Sequence, residues 1–196
     1  RALAARRVNT SIPTFEALNL PQALKRICDL EQGLVCVAGA TGSGKSTTLA
    51  CVLEHINQTQ RSHIITIEDP IEYLFTDKKS IINQREIGID VPNFHEALKH
   101  VVREDPDIIL MGEMRDATSF DAALQAAETG HLVFTTIHAS SASQTISRLL
   151  DLFPTERQTL IRQNLAFNLR TILCQKLLPA CKEGVRMVPS VEVLFN

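Results

Sequence analysis

Residues 39–46 constrain this chain more than any other feature of its sequence. They read Gly-Ala-Thr-Gly-Ser-Gly-Lys-Ser, which fits the pattern G-x-x-x-x-G-K-[ST] of a phosphate-binding loop. The apolar run Gly33–Ala38 before the loop predicts a buried strand, and Ser43–Asn57 predicts a helix. The motif therefore has the strand–loop–helix context that it requires, which disfavours the alternative of a glycine-rich turn that binds nothing.

The loop predicts a site for ATP and Mg²⁺ in which each residue type has a physical task. Glycines let the backbone curl so that successive N–H groups point at an anion, and the start of the helix adds positive potential there. Lys45 would reach the β- and γ-phosphates, and the Ser46 hydroxyl would coordinate Mg²⁺. The predicted nucleotide-binding residues here are Gly39, Ala40, Thr41, Gly42, Ser43, Gly44, Lys45, Ser46, Thr47 and Thr48.

Strand-like and helix-like segments alternate along the rest of the chain, which predicts an α/β fold with a mainly parallel sheet covered by helices. The predicted strands are Gly33–Ala38, His63–Glu68, Ile81–Gln84, Asp107–Gly112, Leu132–Ile137 and Ser190–Phe195. The predicted helices are Pro21–Leu30, Ser43–Asn57, Phe94–Arg103, Ser119–Thr129, Ser141–Leu152 and Thr155–Leu173. Residues 1–20 are expected to form an extended arm that connects to an upstream domain, and residues 21–196 to form the folded domain.

Composition narrows the class of protein. The net charge of −2 lacks the basic surplus of a nucleic-acid-binding domain, so no nucleic-acid partner is expected. The apolar runs are far too short to cross a bilayer, so no membrane insertion is expected. Five cysteines without a C-x-x-C pair favour reduced thiols in a cytoplasmic protein over disulfides or a paired-cysteine zinc site.

Acidic residues at strand ends are candidates for catalysis. Glu113 directly follows the strand Asp107–Gly112, at the edge where the sites of α/β proteins collect, and its carboxylate could orient or activate an attacking water. The position before it, where an ordinary Walker B strand carries an aspartate, is Gly112. Glu68 ends the strand His63–Glu68 and could supply the missing metal ligand through water; from the residues alone, a surface position for it is equally open.

Two histidines and an arginine remain ambiguous from the residues alone. His131 and His138 flank the strand Leu132–Ile137, and lone histidines of this kind are more often structural. His138 follows the carboxyl end of the strand, where the nucleotide is expected. Arg115 could form a plain salt bridge or contact a phosphate.

Four segments together resemble a known group. They are GATGSGKSTT (39–48), TIEDPIEYL (66–74), REDPDIILMGEMRD (103–116) and AAETGHLVFTTIHA (126–139). In order and spacing they are similar to the Walker A, Asp, Walker B and His boxes of the type II/type IV secretion ATPase superfamily, and within it most to the PilT-type retraction ATPases of type IV pili. The resemblance extends from about residue 12 to residue 196.

The resemblance implies a fold and a set of roles. The fold would be a three-layer RecA-like core, followed in the family by a C-terminal helical region that this chain does not include. Glu113 would be the catalytic glutamate of an atypical Walker B box, and Glu68 the Asp-box glutamate near Mg²⁺. His131 and His138 would sense or contact the γ-phosphate region, and Arg115 falls in the family's G-E-x-R-D element. A linker arginine that reaches the nucleotide would be Arg6, with Arg7 equally placed.

The implied activity is Mg²⁺-dependent ATP hydrolysis that drives a motor. In the family, six copies form a ring at the cytoplasmic face of the inner membrane, associated with the platform protein of the pilus machine. The absence of a paired-cysteine zinc module favours retraction over pilus assembly or secretion, and Ala40 replaces the family's common proline in the loop. The alternatives left open are an assembly or secretion motor, a nucleotide-binding regulatory subunit without turnover, and a small-molecule kinase.

Overall fold

A computed structural model describes residues 8–181 and 184–196 of the chain. The predicted contact through Arg6 or Arg7 therefore lies outside the described residues. A 3-10 helix at Gln22–Asp29 precedes the first strand. The strands are β1 (Gly33–Ala38), β2 (His63–Glu68), β3 (Ile81–Glu86), β4 (Ile108–Met111), β5 (Leu132–Ile137), β6 (Leu169–Pro179) and β7 (Met187–Phe195). The helices are α1 (Lys45–Thr59), α2 (Phe94–Val101), α3 (Ala117–Glu128), α4 (Ala142–Asp151) and α5 (Thr155–Asn168).

The described strands form one sheet in the order β3-β2-β4-β5-β1-β6-β7. Strands β1 to β6 run parallel, and β7 pairs antiparallel with β6. The phosphate-binding loop leaves the carboxyl end of β1, and the residues after β2, β4 and β5 emerge at the same edge. The predicted α/β class with a mainly parallel sheet is confirmed.

Helices cover both faces of the sheet, so the fold has the predicted three layers. All six residues of β1 are buried. Leu34 and Cys36 pack into a core shared with α2 to α5, whereas Val35 and Val37 pack against α1 and the 3-10 helix. Burial on both faces explains why β1 is a continuous apolar run, without the alternation of a half-exposed strand.

One predicted element is wrong. The helix predicted at Thr155–Leu173 ends at Asn168, and Leu169 begins β6 beside β1. Leu165, Leu169 and Leu173 recur every fourth residue, a spacing that continues the helical pattern, and neither glycine nor proline marks the true end. The open edge of β1 supplies hydrogen-bond partners for an extended chain here, and this tertiary context overrides the local pattern.

The predicted arm is packed on the domain in its described part. Phe15 and Leu20 are 1% and 4% exposed and belong to the core under α1. Asn9 pairs with Tyr73: its N–H donates to the Glu72 carbonyl over 3.0 Å, and its own carbonyl accepts from the Leu74 N–H over 2.8 Å. The division at residue 20 stays a prediction, but the residues before it contribute to the same core.

Candidate functional site

The phosphate-binding loop adopts a conformation that requires glycine. Gly42 and Gly44 have φ values of 75° and 88°, in the left-handed region that other residues rarely adopt. Gly44 directly precedes α1, so the loop ends on the positive end of that helix. No heavy atom lies within 4 Å of a Cβ placed on Gly42, so the loop is open on that side.

Lys45 lies folded over the loop. Its Nζ donates to the carbonyl oxygens of Gly39 and Ala40 over 2.9 and 3.1 Å. Burial lowers the pKa of the Lys45 ammonium, while the charges of Glu113 and Glu72 act to raise it. The ammonium is thus held at the mouth of the loop, opposite two carboxylates, by bonds that it can exchange for phosphate oxygens.

Glu113 faces a cavity beside the phosphate-binding loop that Lys45 and Ser46 also line. Its backbone is fixed on both sides, because the Gly112 N–H donates to Ile67 of β2 over 2.8 Å and the Met114 N–H donates to Thr136 of β5 over 3.2 Å. The carboxylate accepts a hydrogen bond from Arg115 Nη2 over 2.7 Å.

His138 lies beside the other oxygen of the same carboxylate. Its Nε2 lies 3.1 Å from Glu113 Oε1. Burial acts to raise the pKa of the Glu113 carboxyl, but the hydrogen bond and charge of Arg115, together with the charges of His138 and Lys45, lower it. Glu113 is therefore ionised at neutral pH and can accept a proton or a hydrogen bond from water.

Glu68 faces the cavity from β2. Its Oε1 accepts from the Thr66 hydroxyl over 2.7 Å and from Gln84 Nε2 over 3.2 Å. Burial raises the pKa of this carboxyl, the nearby Glu72 adds to the rise, and the two hydrogen bonds oppose it. Glu68 thus favours the protonated form more than Glu113 does, which separates the two acids electrostatically.

One cavity of about 310 Å³ collects eight of the predicted residues. Its lining includes Thr41, Gly42, Lys45, Ser46, Glu68, Glu113, Arg115 and His138. Ala40 and Ser43 line an adjoining cavity of about 880 Å³, and Gly44, Thr47 and Thr48 line a third, of about 440 Å³. Residues of the loop line all three cavities, and Glu68 and Glu113 share the first of them with Lys45.

His131 does not lie in this cavity. It precedes β5 at the opposite edge of the sheet, beside Gly33 at the start of β1. Its Nδ1 donates to the Ala126 carbonyl over 2.9 Å at the end of α3. The predicted contact of His131 with the γ-phosphate region is not met within this chain, because the length of β5 separates the residue from the loop.

Two further motif residues have structural positions. Asp107, at the amino end of β4, accepts from the backbone N–H of His63 over 2.7 Å. Asp116 caps α3 by accepting from the Ser119 N–H over 2.8 Å. The cap fixes the start of α3 directly after Arg115.

Three polar residues around the loop were not predicted from the sequence. The Tyr73 hydroxyl bonds the Thr47 hydroxyl over 2.9 Å, and Gln84 Nε2 donates to the Tyr73 carbonyl over 2.8 Å in addition to holding Glu68. Gln175 of β6 lies under the loop. Tyr73 lies inside the quoted Asp-box segment, and Gln84 lies on a short predicted strand. Gln175 became recognisable only once β6 was known to be a strand.

Fold and site together define a nucleotide-binding protein of the phosphate-loop class. The model of the family described as type II/IV secretion system protein matches residues 1–194. The chain belongs to this family, which confirms the resemblance seen in its motifs.

Relatives and a solved structure agree with this assignment. The chain is 49% identical over 191 residues to the type IV pilus retractation ATPase PilT of Pseudomonas aeruginosa, which is 97% of this chain and 55% of that protein. It is 45% identical over 194 residues to the twitching motility protein of Neisseria gonorrhoeae, 99% of this chain and 52% of that protein. A crystal structure of the pilus retraction motor PilT with bound ADP matches with a TM-score of 0.92 and 50% identity, covering 97% of this chain and 55% of that one. The chain thus spans about half the length of the relatives that it matches.

Proposed function

We propose that this chain is the ATP-hydrolysing core of a motor that powers retraction of type IV pili. The observation that carries the proposal is the Glu113 carboxylate, which shares one cavity with Lys45 and Ser46 of the phosphate-binding loop. A protein that only binds nucleotide needs the loop but has no use for an ionised carboxylate fixed opposite it.

The residues of the site have different proposed roles in hydrolysis. The loop amides and Lys45 bind the phosphates and offset their charge. Glu113 orients the attacking water and accepts its proton, since Arg115 and His138 hold its two oxygens in place. His138 lies close enough to register the state of the last phosphate through Glu113.

The site fits a Mg²⁺ ion that is held largely by the nucleotide. Among the described residues, no group of three or more His, Cys, Asp or Glu side chains could hold a metal by itself. Mg²⁺ commonly binds through one or two protein oxygens, waters and substrate phosphates. The Ser46 hydroxyl would be the direct ligand, with Glu68 and Glu113 acting through water; the ion would supply positive charge to the phosphates.

Retraction and its partners are proposed from the relatives. The Pseudomonas aeruginosa relative is named a retraction ATPase and the Neisseria gonorrhoeae relative a twitching motility protein. By the same reasoning, the full-length protein would form a homohexamer at the cytoplasmic side of the inner membrane and act on the pilus platform protein. Within the described residues, no helix has the length and apolar character needed to span a membrane.

Phosphate release by the purified protein, measured with ATP and Mg²⁺, tests the catalytic assignment. We expect Glu113→Gln to lower kcat about 100-fold or more while ADP still binds, because the amide cannot accept a proton. The matched control is Glu128→Gln, which changes an exposed carboxylate at the far end of α3 and should leave the rate unchanged.

Lys45→Ala tests the cradle in the same assay. We expect loss of turnover and ADP affinity weakened at least about tenfold, because a charge-assisted hydrogen bond to phosphate is lost. Equal rates for wild type and Glu113→Gln would remove the catalytic role and leave a nucleotide-binding regulatory subunit as the better reading. Unchanged ADP affinity in Lys45→Ala would reject the loop as the binding site.

A further inference from the structure

One glutamine under the phosphate-binding loop uses both ends of its amide. Gln175 is 2% exposed and lies in β6, one residue past the position paired with Ala38 of β1. Its Nε2 donates to the Ser43 carbonyl over 2.7 Å, and its Oε1 accepts from the Thr48 hydroxyl over 2.8 Å. Because one bond needs the donor and the other the acceptor, the amide can sit in only one orientation.

Gln175 also lies in contact with the glycines that shape the loop. A Cβ placed on Gly44 would lie 2.7 Å from Nε2 of Gln175, and a Cβ placed on Gly39 would lie 2.5 Å from its carbonyl oxygen. The backbone of the loop therefore rests directly on this residue. The two bonded partners, Ser43 and Thr48, bracket the turn from which Lys45 and the first amides of α1 emerge.

We propose that Gln175 is a positioning residue for nucleotide binding, whose amide holds the loop in the arrangement that receives phosphates. The inference rests on the proposed nucleotide binding. Main-chain N–H groups must converge on one point to cradle an anion. A loop that is already fixed in this shape loses less conformational entropy when the nucleotide binds, so the bonds to Ser43 and Thr48 contribute to affinity. A glutamine that only satisfied polar groups of the core would stabilise the fold without affecting affinity.

Substitution by methionine separates these two roles. Gln175→Met keeps a similar volume and removes both hydrogen bonds. We expect ADP, titrated with Mg²⁺ by calorimetry, to bind roughly tenfold more weakly, since a buried carbonyl and hydroxyl lose their partners at the site itself. The matched control is Gln158→Met on α5, which removes a side-chain bond to the Phe153 carbonyl away from the loop and should leave the affinity unchanged.

Substitution by glutamate provides a second test, in which lowering the pH should restore ADP affinity. A purely structural role would not show this recovery. The ionised carboxylate of Gln175→Glu can accept from Thr48 but cannot donate to Ser43. When protonated, the carboxyl donates and accepts as the amide does, and burial raises the pKa of such a group. We expect the ratio of the ADP Kd of this variant to that of wild type to fall as the pH is lowered from about 8 to about 6.

The outcomes distinguish this inference from the proposed function. If wild type does not bind ADP, the proposed function itself fails. If wild type binds ADP and Gln175→Met, shown to be folded by thermal unfolding, binds it as tightly, the positioning role is rejected. If the methionine variant does not fold, the glutamate variant decides, because a Kd ratio that stays constant over the pH range overturns the inference.

Discussion

At the scale of single residues, Arg115 is one of the groups that lower the pKa of Glu113. Its guanidinium donates to Glu113 Oε2 over 2.7 Å. This hydrogen bond and the positive charge lower the pKa of the Glu113 carboxyl, which burial acts to raise. The Arg115 side chain is largely exposed, so its removal should not disturb the core. Its contribution is therefore expected to appear in the pH dependence of activity more than in stability.

We predict that Arg115→Ala moves the acidic limb of the kcat/KM profile to higher pH. Without the guanidinium, its hydrogen bond and charge no longer lower the pKa of Glu113, so that pKa rises and the carboxylate is lost at a higher pH as the solution is acidified. Initial rates of phosphate release across the pH range measure this. The control is Arg157→Ala, which breaks a comparable pair with Asp121, neither of which lines the cavity. An acidic limb unmoved in Arg115→Ala would contradict the role given to Arg115.

At the scale of elements, the loop between β1 and α1 offers two glycines for a matched comparison. We predict that Gly44→Ala destabilises the protein by more than Gly42→Ala does. Both residues have positive φ, so each alanine costs roughly 1–2 kcal/mol of backbone strain. Only at Gly44 would the new methyl group also meet Gln175, at 2.7 Å.

Urea unfolding of the two variants gives their free energies of unfolding. Because both variants carry the same kind of backbone strain, the difference between their free energies of unfolding reports the contact of the new methyl group at position 44 with Gln175. Equal losses would show that the loop does not rest on this glutamine and would weaken the positioning role argued for it.

At the scale of elements, most strands and several site residues can be predicted from the sequence, whereas β6 and Gln175 cannot. The first five strands were recognisable because β-branched, apolar runs end at polar or turn residues, and Glu113 and His138 follow from the rule that parallel strands present their carboxyl ends at one edge. Residues 169–173, the first five of β6, were predicted as the end of a helix because their apolar spacing fits both periods. Gln175 was missed for this reason: its place under the loop exists only if β6 lies beside β1.

At the scale of the whole molecule, a chain of hydrogen bonds joins the N-terminal segment to the site. Asn9 pairs with the segment around Tyr73, and Tyr73 in turn bonds Thr47 of α1. Gln84 ties the same segment to Glu68. Residues 8–20 are therefore connected to the cavity as well as to the core. A change in this segment is expected to affect the stability of the entire domain.

We predict that Phe15→Ala lowers the free energy of unfolding by about 3–5 kcal/mol, as expected for a buried aromatic side chain. Phe15 is 1% exposed, and its ring meets His55 of α1 edge-on with centroids 5.6 Å apart. Phe167→Ala on α5 is the matched control, because that ring is 76% exposed and its loss should change stability by no more than about 0.5 kcal/mol. Urea unfolding measures both. If Phe15→Ala proved as mild as Phe167→Ala, residues 1–20 would be an arm that the domain does not need; a large loss would move the start of the folded domain upstream of residue 15.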